Sequence, residues 1–119
     1  MGSGIILNSN GYILTNYHVV EKLDRILIKL FDGKEYFAKL VGHDAYTDLA
    51  VLKISTLRKL SEPEFGQSKD LNVGEWVMAI GNPYGLEGTV TVGVISGIER
   101  DDLGINHFEN FIQTDASIN

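Results

Sequence analysis

The sequence has 119 residues, 44% of them apolar, with thirteen glycines, two prolines and no cysteine, a composition that suits a globular domain with its own core and excludes disordered and disulfide-stapled classes. Ten basic against sixteen acidic side chains give a formal net charge of −6, which opposes docking on a nucleic-acid backbone or an anionic lipid surface. Without cysteine there is neither a thiol nucleophile nor a thiolate zinc site, and no apolar run reaches the roughly 18 residues that a membrane span needs.

In chain order, residues 4–7 and 12–15 are short apolar runs split by Asn8-Ser9-Asn10-Gly11. Asparagine and glycine tolerate the positive φ of a tight turn, so these runs predict a β-hairpin. Residues 18–23 alone read as a helical turn. Residues 25–31 read Arg-Ile-Leu-Ile-Lys-Leu-Phe, Asp32-Gly33 supplies a turn signal, and residues 35–41 form the return strand of a second hairpin. Further strands are expected over residues 48–55, 75–80 and, in one or two pieces, 89–98, where Thr, Val and Ile are frequent. Trp76 and Met78 alternate with apolar neighbours and are expected in a core. Many short strands with turn signals between them predict an all-β sandwich or barrel. Ser, Glu, Pro63, Lys and Asp interrupt the apolar pattern between residues 55 and 74 and mark a weak boundary between two sub-domains.

Two polar residues stand at the edges of apolar strands. His18 follows Thr15-Asn16-Tyr17 and Asp48 opens Asp48-Leu49-Ala50-Val51-Leu52. A histidine can act as general base and an aspartate can hold its imidazole in the required tautomer, which makes the pair two thirds of a serine-protease triad. By residue type alone His18 is an ordinary structural histidine beside Val19-Val20, Asp48 a strand cap, and Asp44, in a polar turn, or His43 can also be imagined in such a site. The serines at 3, 9, 55, 61, 68 and 96 carry no nucleophile-loop signature and read as turn or surface residues, and Ser117 is not read as the nucleophile. His18, His43 and His107 lack the i, i+4 spacing of a helical metal motif, so no metal or other cofactor is expected. Gly81-Asn82-Pro83-Tyr84-Gly85 lacks the Lys-Ser/Thr ending of a phosphate loop and reads as a turn between strands.

Five segments together carry a resemblance. They are Gly2-Ser3-Gly4-Ile5-Ile6; Gly11-Tyr12-Ile13-Leu14-Thr15-Asn16-Tyr17-His18-Val19-Val20; Thr47-Asp48-Leu49-Ala50-Val51-Leu52-Lys53-Ile54; the run from Gly74-Glu75-Trp76-Val77 to Gly85-Leu86; and Phe111-Ile112-Gln113-Thr114-Asp115-Ala116-Ser117-Ile118-Asn119. In this order and spacing they resemble the HtrA family of trypsin-like serine proteases, also called Deg or Do proteases, over nearly the whole chain.

The resemblance implies a chymotrypsin/trypsin-like double β-barrel with the active site between the barrels. Residues 1–60 are then the first barrel, with His18 and Asp48 as the catalytic base and its orienting carboxylate, and residues 61–119 are an incomplete second barrel. In the family the segment matching residues 114–119 is followed at once by a Pro-Gly-Asn-Ser-Gly-Gly type motif that carries the nucleophilic serine and the oxyanion donors. The nucleophile is therefore expected beyond Asn119, and the chain by itself is expected to be inactive. Asp115 falls upstream of that loop and is not the floor of an Arg/Lys pocket; HtrA-like proteases prefer small aliphatic residues at the cleavage site. The implied function is a serine endopeptidase of protein quality control, with unfolded or misfolded polypeptides as substrates and the bacterial periplasm or cell envelope as the parent's location. No signal peptide is read at the amino terminus. The alternative is a non-catalytic β-barrel fragment that self-associates or binds unfolded chains, because an interrupted barrel exposes strand edges and apolar faces.

Overall fold

A computed structural model describes residues 1–81, 88–100 and 111–118, with backbone alone at residues 99 and 100. The expected turn at residues 81–85 falls, after Gly81, outside the described residues, as does His107. Two compact units are formed, Gly4–Glu64 and Phe65–Asn119 with Met1–Ser3.

The first unit is a five-stranded antiparallel sheet. Its strands are β1 (Gly4–Ile6), β2 (Tyr12–Asn16), β3 (Ile26–Lys29), β4 (Glu35–Asp44) and β5 (Leu49–Lys53), in the spatial order β1-β2-β5-β4-β3. Side chains alternate across a strand, so every second residue of the two central strands points one way. Ile13 and Thr15 of β2 and Ala50 and Leu52 of β5 are the buried set, and the register sets Ile13 opposite Leu52 and Thr15 opposite Ala50. Val20, Ile54 and Leu60 complete the core, with Ile26, Ile28, Tyr36 and Ala38 of the second hairpin half-buried against it. The other face of that hairpin carries Leu27 opposite Phe37, with the Arg25 guanidinium 4.0 Å from the Phe37 ring centre, a cation–π contact that covers apolar surface with charge.

Both expected hairpins form. The first turn closes through Leu7 N–H to the Tyr12 carbonyl, and the second through Leu30 N–H to the Lys34 carbonyl. Two elements differ from the sequence reading in ways that bear on function. The helical turn, α1, is Tyr17–Val20 rather than residues 18–23. It stops after one turn because Val20 is anchored in the core while the polar residues that follow are exposed. Strand β4 runs on to Asp44, three residues beyond the expected end, because Val41 is an extra residue in the ladder: Leu40 faces Leu52 and Gly42 faces Val51. Such a bulge bends the strand and resets which residues face which partner, and here it carries His43 opposite Ala50.

The second unit is a three-stranded antiparallel sheet of β6 (Trp76–Gly81), β7 (Thr89–Arg100) and β8 (Phe111–Thr114), in that order. Strand β8, with its polar Gln113 and Thr114, was too short to stand out as a strand in the sequence. Gly93 of β7 leaves space for the chain that follows β8. A Cβ there would stand 2.3 Å from Asp115 Oδ1 and 2.4 Å from the Ala116 nitrogen. The same crossing is held by Val94 N–H to Asp115 Oδ1 (2.7 Å), Thr114 Oγ1 to the Val94 carbonyl (2.8 Å) and Thr91 Oγ1 to the Ser117 carbonyl (2.6 Å). Asp115 thus serves the backbone of β7. Trp76 and Met78 correct the sequence reading: they are 78% and 60% exposed. The alternation that was expected to bury them instead puts Trp76, Met78 and Ile80 on one face and the half-buried Val77 and Ala79 on the other.

Candidate active site

Asn16 ends β2 and Tyr17 and His18 begin α1, while Asp48 is the last residue of the turn into β5. Antiparallel pairing of Asn16 with Leu49 brings the two chain pieces side by side. Three consecutive residues of the first piece then converge on Asp48. Asn16 Nδ2 and Tyr17 N–H both donate to the Asp48 carbonyl, at 3.1 and 2.9 Å. His18 N–H donates to Asp48 Oδ1 at 2.8 Å, and His18 Nδ1 lies 2.5 Å from Asp48 Oδ2. Asp48 itself has φ of 57°, the one positive φ outside glycine among the described residues. Aspartate is among the few residues that visit this left-handed region readily, and here the turn aims its carboxylate back at α1.

The geometry sets the protons. An ionised carboxylate only accepts, so the proton shared with Asp48 Oδ2 resides on His18 Nδ1 and the neutral ring presents Nε2 with a free lone pair. That is the tautomer a general base needs. The His18 side chain is 67% exposed and that of Asp48 40%, so the ring is open to solvent. Hydrogen bonding by the His18 side chain, and then by its backbone N–H, holds the Asp48 carboxyl below its ordinary value of 3.8.

Because the folded-state pKa is the lower one, the unfolded chain binds the proton first as pH falls, so the stabilisation by this group is complete above its ordinary pKa and lost on descent through the folded one. A carbon-detected NMR titration should place the Asp48 midpoint below 3.8, and His18→Ala should raise it. A wild-type midpoint at or above that value would show that the His18 contact does not hold in solution.

The other candidates fall elsewhere. Asp44 closes the β4–β5 turn, its Oδ1 accepting Tyr46 N–H at 2.9 Å. His43 does not join the carboxylate but stacks on Tyr17, with ring centres 4.0 Å apart and planes 7° from parallel. The support that Asn16 and Tyr17 give to the Asp48 carbonyl was not legible beforehand, although their place directly before His18 was a usable signal. Among the described residues no group of three or more His, Asp or Glu side chains could hold a metal ion.

Comparison with known proteins decides the family. The model of the trypsin-like peptidase domain matches residues 2–119. The chain belongs to the trypsin-like peptidase family. Among family members, a Chlamydia trachomatis protein named "Probable periplasmic serine endoprotease DegP-like" is 54% identical over 118 residues, covering 99% of this chain and 24% of that protein. A protein of the same name from Rickettsia conorii is 55% identical over 122 residues, covering 100% of this chain and 24% of its own length. The solved structure "HtrA-type protease AlgW with decapeptide" superposes with a TM-score of 0.91 at 50% identity, over 99% of this chain and 36% of that one. The trypsin-like peptidase fold, an all-β double barrel, and the HtrA likeness read from the five segments both stand on these matches. The chain spans about a quarter of the length of these two curated relatives.

Proposed function

We propose that this chain carries the general base, His18, and its orienting carboxylate, Asp48, of an HtrA-like serine endopeptidase that degrades unfolded or misfolded polypeptides in the bacterial periplasm or cell envelope. The observation that carries this reading is the paired contact of Asp48 with the ring and the backbone N–H of the same histidine, at 2.5 and 2.8 Å. In the proposed reaction His18 Nε2 takes the proton of a serine hydroxyl as its oxygen bonds to the substrate carbonyl carbon. The imidazolium then gives that proton to the amine as the C–N bond breaks, and water releases the acyl group by the same steps. Asp48 keeps the ring oriented and offsets its transient positive charge. The reaction also needs that serine and N–H donors for the oxyanion. Residues 1–60 would form the first barrel and residues 61–119 strands of the second. Relatives named periplasmic endoproteases and a decapeptide-bound neighbour support the substrate class and location.

The test is hydrolysis of labelled, unfolded casein by this chain supplemented with the portion of the Chlamydia trachomatis relative that follows the matched region. Cleavage that disappears in His18→Ala supports the reading. No cleavage despite demonstrated binding of the added portion would overturn it.

A second reading is favoured by one observation. Trp76, Met78 and Ile80 of β6 and Val90 and Val92 of β7, paired Met78 to Val92 and Ile80 to Val90, are all more than half exposed on one sheet face. Such an apolar face suits self-association or capture of unfolded chains without catalysis. Under this reading sedimentation shows an oligomer that Met78→Lys dissolves; a monomer at all concentrations argues against it.

A further inference from the structure

The His18–Asp48 couple depends on how α1 is held against the β4–β5 turn. Its polar contacts there converge on Asp48, and Val20 anchors its end in the core. A further contact reaches β4. The Tyr17 ring, on the residue immediately before His18, stacks on the ring of His43 in β4. We infer that Tyr17 and His43 are a positioning pair, whose stacked rings lock α1 onto β4 and thereby keep His18 in the orientation and tautomer that Asp48 requires. The inference rests on the proposed role of His18 and Asp48 and deepens it.

The placement argues for more than incidental contact. A single four-residue helical turn has almost no stability of its own, so α1 relies on neighbours to keep its shape. Tyr17 N–H donates to the Asp48 carbonyl, and the next N–H, that of His18, donates to the Asp48 carboxylate. Rotation at Tyr17 would therefore disturb both bonds and carry the His18 ring away from Asp48. His43 reaches Tyr17 only because of the bulge at Val41. Without that extra residue its side chain would face the opposite side of the sheet, and with it His43 stands opposite Ala50, two positions past Asp48. The stack thus joins the piece of chain bearing the base to the sheet bearing the carboxylate.

His43 is exposed and outside the core cluster, whereas Tyr17 also packs against that cluster. The informative variants are therefore His43→Ala, which deletes the stack, and His43→Phe and Tyr17→Phe, which keep two facing rings. The readout is nitrogen-15 NMR of the His18 imidazole in the intact chain, which reports the ratio of Nδ1–H to Nε2–H tautomers, with the thermal midpoint recorded alongside. Wild type, His43→Phe and Tyr17→Phe should hold His18 as Nδ1–H. His43→Ala should shift the ratio away from Nδ1–H by roughly two- to tenfold, the range expected for one aromatic pair, with little change in midpoint. An unchanged ratio in His43→Ala, or an equal shift in His43→Phe, would overturn the inference. The measurement needs no turnover, so a failure to cleave casein would bear on the proposed function alone. A wild-type His18 with no bias to Nδ1–H would sink both.

Discussion

Gly11→Ala is expected to lower the unfolding free energy by at least about 3 kcal/mol, the sum of left-handed strain and overpacking at one site. Gly11 ends the first turn with φ of +96°, a conformation that a Cβ disfavours. Its own carbonyl receives Ile54 N–H at 2.9 Å, so it is bonded to the chain just past β5. An added Cβ would stand 2.4 Å from the Ile54 carbonyl oxygen, which is backbone and cannot swing aside as a long side chain would. Ile54 is the most completely buried large side chain of the core, so relief by moving it opens the packing around Leu52 and Ile13. Small domains have only about 5–15 kcal/mol in total, and a loss of this size should be plain as a fall in urea midpoint followed by circular dichroism. A loss under about 1 kcal/mol, the low end of the strain of a left-handed residue, would mean that the crossing relaxes freely.

Asp48→Asn is expected to reduce kcat/KM for casein on the order of 10⁴-fold, in the complemented preparation that shows wild-type cleavage. The carboxamide is nearly the same shape, and its oxygen can still accept His18 N–H where Asp48 Oδ1 does at 2.8 Å. Its NH₂ then faces the site of Asp48 Oδ2, 2.5 Å from His18 Nδ1, and donates to it. The ring proton moves to Nε2, which can no longer accept from a serine. Because substrate binding does not involve this proton, the loss should fall on kcat with KM little changed. His18→Ala should be more severe, on the order of 10⁶-fold in turnover. Activity within tenfold of wild type in Asp48→Asn would remove Asp48 from the proposed mechanism.

Much of the sheet architecture was legible locally because its signals are local. Alternating apolar residues in β2 and β5, Asn-Gly and Asp-Gly at the turns, and β-branched residues in β7 each act through their immediate neighbours. Trp76 and Met78 misled for the same reason: alternation shows that residues share a face, not whether another layer covers it. The extension of β4 was hidden because a bulge depends on the partner strand, and nothing in Leu40-Val41-Gly42 alone announces which residue will be left out of the ladder.

Residue order alone is enough for the all-β class, both hairpins and, through the Tyr17-His18-Val19 and Thr47-Asp48-Leu49 segments, the candidate pair His18 and Asp48. Folding is what makes His18 and Asp48 meet through both ring and backbone, turns Asp44 away to close its own loop and stacks His43 on Tyr17. Those outcomes follow from pairing between segments some thirty positions apart, and from one left-handed residue and one bulge whose directions are set by the strands they join. Residue types state what chemistry a side chain can do; the distances that let it do so are a property of the folded sheet.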